Sequence, residues 1–164
     1  MLEWLSSKMS VVLASMLLLS SMTAYFANQR DYARRQELET VARGLSSFVN
    51  AVFGVHGTTE FEVSFAGGGD LVLPSRIGGS PYSVRMRSDS VVIEQYGGSA
   101  IGHWSGNLHF WTWDGATLTW ESVNASDRNR DSLSLGSGQG FQVSVEEIVL
   151  SESRLFFVFA RLAP

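Results

Sequence analysis

The chain has 164 residues, a formal net charge of −4, no cysteine and only three histidines. No cysteine excludes a disulfide framework, and the low histidine count argues against a metalloenzyme. An acidic balance with no basic stripe beyond the N-terminal helix argues against nucleic acid as a partner.

The first 53 residues read as one long helix in two chemically different halves. Between Lys8 and Arg30 there is no charged side chain. Residues 9–27 (MSVVLASMLLLSSMTAYFA) contain neither Pro nor Gly. Their length matches the roughly 20 residues a bilayer-spanning helix needs. Val12, Met16, Leu17, Leu18, Leu19, Met22 and Phe26 are the candidate residues for a helical polymer core. Ser10, Ala14, Ser15, Ser20, Ser21 and Ala24 are small enough to let helices approach closely in lipid.

The second half is amphipathic. Leu38, Val41, Leu45, Phe48 and Val52 are spaced 3, 4, 3 and 4 apart, with Ala42 and Val49 beside them. That apolar seam at helical period predicts docking onto a folded domain. Gly44 is its weak point, costing about 1 kcal/mol relative to Ala. Gly54 is a natural stop. The expected helix therefore runs over residues 3–53, roughly 75 Å at ~1.5 Å per residue.

A cleaved secretory signal is the competing reading of the N-terminus. Against it stand the length of the apolar run, an n-region with Lys8 alone, and Tyr25 where cleavage near Ala27 wants a small residue. Orientation is contested within the sequence itself. Arg30, Arg34, Arg35 and Arg43 follow the span and only Lys8 precedes it, so a positive-inside count places the C-terminal domain in the cytoplasm. The expectation adopted is the opposite: the domain has the character of an extracellular β fold. The arginines also alternate with Asp31, Glu37 and Glu39, so neighbouring copies in an assembly can neutralise them.

After Gly54 the period switches from helix to strand. Residues 60–65 alternate, and Gly67, Gly68, Gly69 and Asp70 turn the chain into 71–73. Gly78, Gly79, Ser80 and Pro81 form another turn before the alternating Tyr82, Val84 and Met86, and Val91, Val92 and Ile93 follow. Asp114-Gly115, between 109–113 and 116–120, is the strongest hairpin signal. Residues 141–150 and 154–159 make the last pair. Residues 126–140 (SDRNRDSLSLGSGQG) read as a long surface loop or a partly mobile arm. The fold class is α+β: a long N-terminal helix packed on a C-terminal antiparallel β-sandwich or barrel-like domain, divided as 1–53 and 54–164.

Chemistry is sparse. His56, His103 and His109 lack metal-ligand spacing, although His103 and His109 flank a Ser105-Gly106-Asn107 turn and can lie close across it. Asp127, Asn129 and Asp131 have the start of a calcium-loop spacing. Ser132 and Gly138 stand where such a loop wants Gly and an acid, and Arg128 and Arg130 repel a cation. No metal or cofactor is expected, and no polar constellation converges as a catalytic site would. Trp104, Phe110, Trp111, Trp113 and Trp120 concentrate aromatic surface. Trp111, Trp113 and Trp120 share a face that is either core or a platform for sugars or a neighbouring subunit. Asn124 begins an N-glycosylation sequon.

The apolar-then-amphipathic helix leading into a C-terminal β domain resembles the type IV pilins, above all the archaeal pilin-like and archaellin-like branch. The stretch LPSRIGGSPYSVRM from Leu73 to Met86, followed by Val91, Val92 and Ile93, is similar to a strand–turn–strand pattern of that family. The resemblance implies a structural subunit of an extracellular filament, resident in the membrane before assembly and polymerising with copies of itself. In the family a basic residue and Gly precede the mature N-terminus and are cut by a prepilin peptidase. No such site precedes Met1 here, so the expectation is either prior removal or a pilin-like protein that is not processed. Glu3 is the nearest match to the Glu that, in bacterial members, is proposed to pair with a neighbour's amine; its position is offset. The rival reading is a monomeric, single-pass anchored domain that binds glycan or another envelope protein.

Overall fold

Nothing between Leu2 and Phe53 competes with a helix: the stretch has no proline, and Gly44 is its one residue without a Cβ. The computed structural model describes residues 2–65, 67–110, 132–150 and 153–162. In it α1 runs unbroken over Leu2–Phe53. The helix stops where Gly54 N–H donates to the Ala51 carbonyl (3.1 Å), a tightened final turn.

Among the described residues nine strands follow: β1 Thr59–Ser64, β2 Leu71–Val72, β3 Ser83–Arg87, β4 Ser90–Gln95, β5 Gly98–His103, β6 Leu108–Phe110, β7 Ser132–Gly136, β8 Phe141–Leu150 and β9 Ser153–Leu162. They form two sheets, ordered β2-β1-β8-β9-β6 and β5-β4-β3-β7. The second sheet is antiparallel throughout. The first is mixed, because β1·β2 and β6·β9 are parallel. Neither parallel strand arrives through a hairpin with its partner. The loop after β1 folds back with Asp70 Oδ2 accepting Glu62 N–H (2.8 Å), so β2 runs beside β1 in the same direction. β6 enters from the other sheet.

The expected surface loop over 126–140 needs correction. Ser132–Gly136 is a strand on the edge of the second sheet, with Leu133 and Leu135 buried and paired opposite Met86 and Val84. Its two leucines alternate with Ser and Gly, so low average hydropathy hides a clear period of two. Residues 111–131, which hold the expected Asp114-Gly115 hairpin and the calcium-like spacing, lie outside the described residues.

The core is one cluster fed by both sheets, by α1 and by the connecting residues Phe65, Leu73, Ile77, Tyr82 and Trp104. From the first sheet come Val63, Phe141, Val143, Val145, Val158, Ala160, Leu108 and Phe110; from the second come Val84, Met86, Val91, Ile93, Leu133 and Leu135. From α1 come Leu38, Val41, Ala42, Leu45, Val49 and Val52. By packing, the chain divides into two compact units, Met1–Arg34 and Arg35–Pro164. The dividing point lies inside α1, because the helix from Leu38 onward shares the β core. Secondary structure alone places the boundary at residue 53.

Candidate functional site

In the unit Met1–Arg34 the helix presents large apolar side chains to the outside from Met9 to Phe26. Met9, Val11, Val12, Leu13, Met16, Leu17, Leu18, Leu19, Met22 and Phe26 are each 52–69% exposed. The hydroxyls among them are turned inward to the helix's own backbone. Ser15 donates to Val11 O (2.8 Å), Ser20 to Leu17 O (3.0 Å), Ser21 to Leu18 O (2.8 Å) and Thr23 to Leu19 O (2.8 Å). Hydroxyls satisfied this way carry little penalty in an apolar medium. Length and composition of Lys8–Phe53 include a window able to cross a membrane, a test that a signal sequence near the N-terminus also passes. Glu3 lies near the start of α1.

In the unit Arg35–Pro164 the seam at Leu38, Val41, Leu45 and Val52 is buried, and Phe48 packs against the core with its ring edge-on to Phe61 (6.0 Å, 88°). Burying each such side chain contributes about 1.5–3 kcal/mol. Polar contacts set the register. Glu37 Oε2 accepts Gly78 N–H (2.8 Å), and Asn50 Oδ1 accepts from Ser105 N–H (3.0 Å) and Ser105 Oγ (3.2 Å). Ser46 Oγ donates to the His103 carbonyl.

The feature that sequence reasoning missed is a run of glycines opposite the helix. Gly98, Gly102 and Gly106 recur every fourth residue along β5 and the turn after it. A Cβ on Gly98 would meet Leu38 at 3.4 Å, one on Gly102 would meet the Ala42 carbonyl at 2.5 Å, and one on Gly106 would meet the Phe53 ring at 2.5 Å. Even spacing keeps Gly98 and Gly102 on one face of the strand. The signal was present in the sequence as GxxxGxxxG.

His103 ends β5 in one sheet and His109 lies in β6 of the other, because Trp104 to Asn107 carry the chain across. That crossing is pinned by Trp104 N–H on Asp89 O (3.1 Å), Trp104 Nε1–H on Ser88 O (2.7 Å) and Leu108 N–H on Ser88 O (2.7 Å). His109 sits against the rings of Phe157 (5.4 Å) and Phe159 (5.7 Å). Trp104 is buried. Trp111, Trp113, Trp120 and Asn124 lie outside the described residues. Among the described residues no group of three or more His, Asp or Glu converges as a metal site would.

Open depressions among the described residues of the β unit include two beside β5 and the β4–β5 turn. One, of about 500 Å³, runs between Glu39, Arg43 and Ser46 of α1 and Ser99, Ile101 and His103 of β5. The other, of about 510 Å³, is bordered by Pro81, Ser83, Glu94 and Tyr96. Tyr96, at the β4–β5 turn, is 96% exposed. Comparison with protein-family models, curated proteins and solved structures gives no match.

Proposed function

We propose that this chain is a structural subunit of an extracellular, type IV pilus-like filament. It resides in the membrane through residues 9–27 before assembly and polymerises with copies of itself through the same surface. The observation that carries the reading is the change of environment along one helix. Large apolar side chains from Met9 to Phe26 are exposed, while from Leu38 the helix is drawn into a β core.

Apolar surface of that extent needs lipid or protein around it. At ~25 cal/mol per Å², burying it contributes on the order of tens of kcal/mol gross. Lipid covers it before assembly and neighbouring helices cover it afterwards. A head-to-tail contact that does not close then extends into a filament. The reading assigns no catalytic step and no cofactor. Its test is electron microscopy of material sheared from the cell surface, with mass spectrometry of the recovered chain. Filaments built of this chain are the expected result; a chain found only as a membrane monomer overturns it.

A second reading is a monomeric anchored domain that binds glycan or an envelope protein. Tyr96 favours it, as a solvent-exposed ring beside an open depression bordered by Glu94 and Ser83. Titrating the full chain with cell-surface sugars separates the two, since this reading requires saturable binding that Tyr96→Ala abolishes.

A further inference from the structure

The membrane reading above leaves the turns of α1 just after the apolar span without a role, and their chemistry is specific. Phe26, Arg30 and Arg34 follow one another at intervals of four, which places them on one ridge of the helix. Tyr25 and Tyr32, seven apart, share a second ridge. The rings of Tyr25 and Phe26 meet edge-on at 5.9 Å. Tyr25, Phe26 and Tyr32 are 60–64% exposed, and Arg30 is exposed as well. Asp31 is the one acid among them: it lies about 100° around the helix from Arg30 and three residues before the half-buried Arg34.

We infer that this collar of Tyr25, Phe26, Arg30, Tyr32 and Arg34 binds the headgroups of anionic phospholipids. The inference rests on residues 9–27 residing in a bilayer. Axial distances fit. Arg30 lies about 4.5 Å and Arg34 about 10 Å beyond Ala27 at ~1.5 Å per residue. The headgroup layer is roughly 5–8 Å deep on each side of the hydrocarbon. Helical side chains lean toward the N-terminus, which after a span is toward the membrane, and a long arginine stem carries its guanidinium back further. Tyrosine rings settle at the same depth, apolar body inward and hydroxyl outward. Two guanidiniums on one ridge then face the phosphate layer and bind it through paired N–H donors.

The test reconstitutes the full chain in phosphatidylcholine vesicles containing a minority of phosphatidylglycerol. Lipids that remain with the chain after mild extraction are quantified by mass spectrometry. Phosphatidylglycerol is expected to be enriched about three-fold over the bulk, and to fall to the bulk value at molar salt, where screening shortens to ~3 Å. Arg30→Gln with Arg34→Gln should abolish the enrichment, and Arg30→Lys with Arg34→Lys should keep it. Enrichment absent in the parent chain, or kept by the Gln variant, overturns the inference. So does a Gln variant that loses cross-linked oligomers in pure phosphatidylcholine with its lipid composition unchanged, because the arginines would then serve contacts between copies. A chain that does not float with vesicles at all overturns the membrane reading itself; one that floats without enrichment overturns only the collar.

Discussion

Gly102 lies so close beneath Ala42 that a Cβ on the glycine would stand 2.5 Å from the Ala42 carbonyl oxygen and 2.9 Å from Ser46 Cβ. The helix is therefore seated on β5 through backbone rather than through side-chain tips. Gly102→Ala must push α1 off the strand or shift the strand, and neither neighbour is a flexible side-chain end. The expected cost is about 2–4 kcal/mol, read as a lower denaturation midpoint of the full chain in detergent. Gly44→Ala is the matched control. It lies on the exposed side of the same helix with open space around a built Cβ, so it should stabilise by about 0.5–1 kcal/mol. A neutral Gly102→Ala would show that α1 does not sit where the structure puts it.

Gln95 holds the Gly78-Gly79 turn. Its Nε2 donates to the carbonyls of Ile77 (2.8 Å), Ser80 (2.9 Å) and Pro81 (3.3 Å), while its Oε1 is buried without a hydrogen-bond partner. Gln95→Glu replaces the donor with a second acceptor facing carbonyls. It should destabilise by about 2–3 kcal/mol at neutral pH, with part of that recovered on acidification, when a protonated carboxyl can donate again. Gln95→Met should cost only about 1 kcal/mol. It also removes the orphaned oxygen, and Ile77 O and Ser80 O keep each other's N–H at 3.0 Å. The order of the two variants in urea is the measurement; a milder Glu variant contradicts the geometry.

Tyr82 predicts an alkaline limit to stability. Its ring is buried, its hydroxyl donates to Pro74 O at 2.6 Å, and burial pushes its phenol pKa well above the ordinary value. The unfolded phenol loses its proton near pH 10 while the folded one keeps it, so the unfolded state binds fewer protons above that pH. Stability is then full below about pH 10 and declines as pH rises further. Tyr82→Phe should lower stability by about 1 kcal/mol at neutral pH, through the lost hydrogen bond, and flatten the alkaline decline. Equal alkaline slopes in parent and variant would show that another group sets the limit.

How much of this was legible in the sequence follows from which forces act locally. The seam Leu38, Val41, Leu45 could be read because helical periodicity is a property of neighbours in the chain. So could the turn at Gly78 and Gly79, whose positive φ angles (53° and 80°) need glycine. β7 was missed because two leucines among serines carry too little hydropathy to stand out until Met86 and Val84 are placed opposite them. The placement of His103 and His109 in different sheets was illegible for a related reason. A chain that crosses between sheets at Trp104 looks, residue by residue, like one that turns back. The glycines at 98, 102 and 106 acquire meaning only against a helix some 55 residues earlier in the chain, as the Ser105–Asn50 hydrogen bond shows.

The reading of α1 as both anchor and polymer core makes its sharpest demand at Leu17 and Leu18. Both are more than 60% exposed, and neither belongs to the buried core cluster. Leu17→Asp or Leu18→Asp should therefore leave the unfolding of the β unit unchanged, within about 0.5 kcal/mol, as for a surface site. In lipid the same change is severe: an aspartate at the centre of a spanning helix costs about 2.5–3.5 kcal/mol on insertion scales. In a polymer it places a charge in every repeat of a helical core. The expected outcome is a folded β unit with membrane residence and filaments both lost, followed by fractionation and by electron microscopy of sheared material. Filaments of normal appearance from either variant would remove α1 from the polymer core. Normal membrane residence without filaments would leave the anchor in place and show that copies meet through the apolar surface.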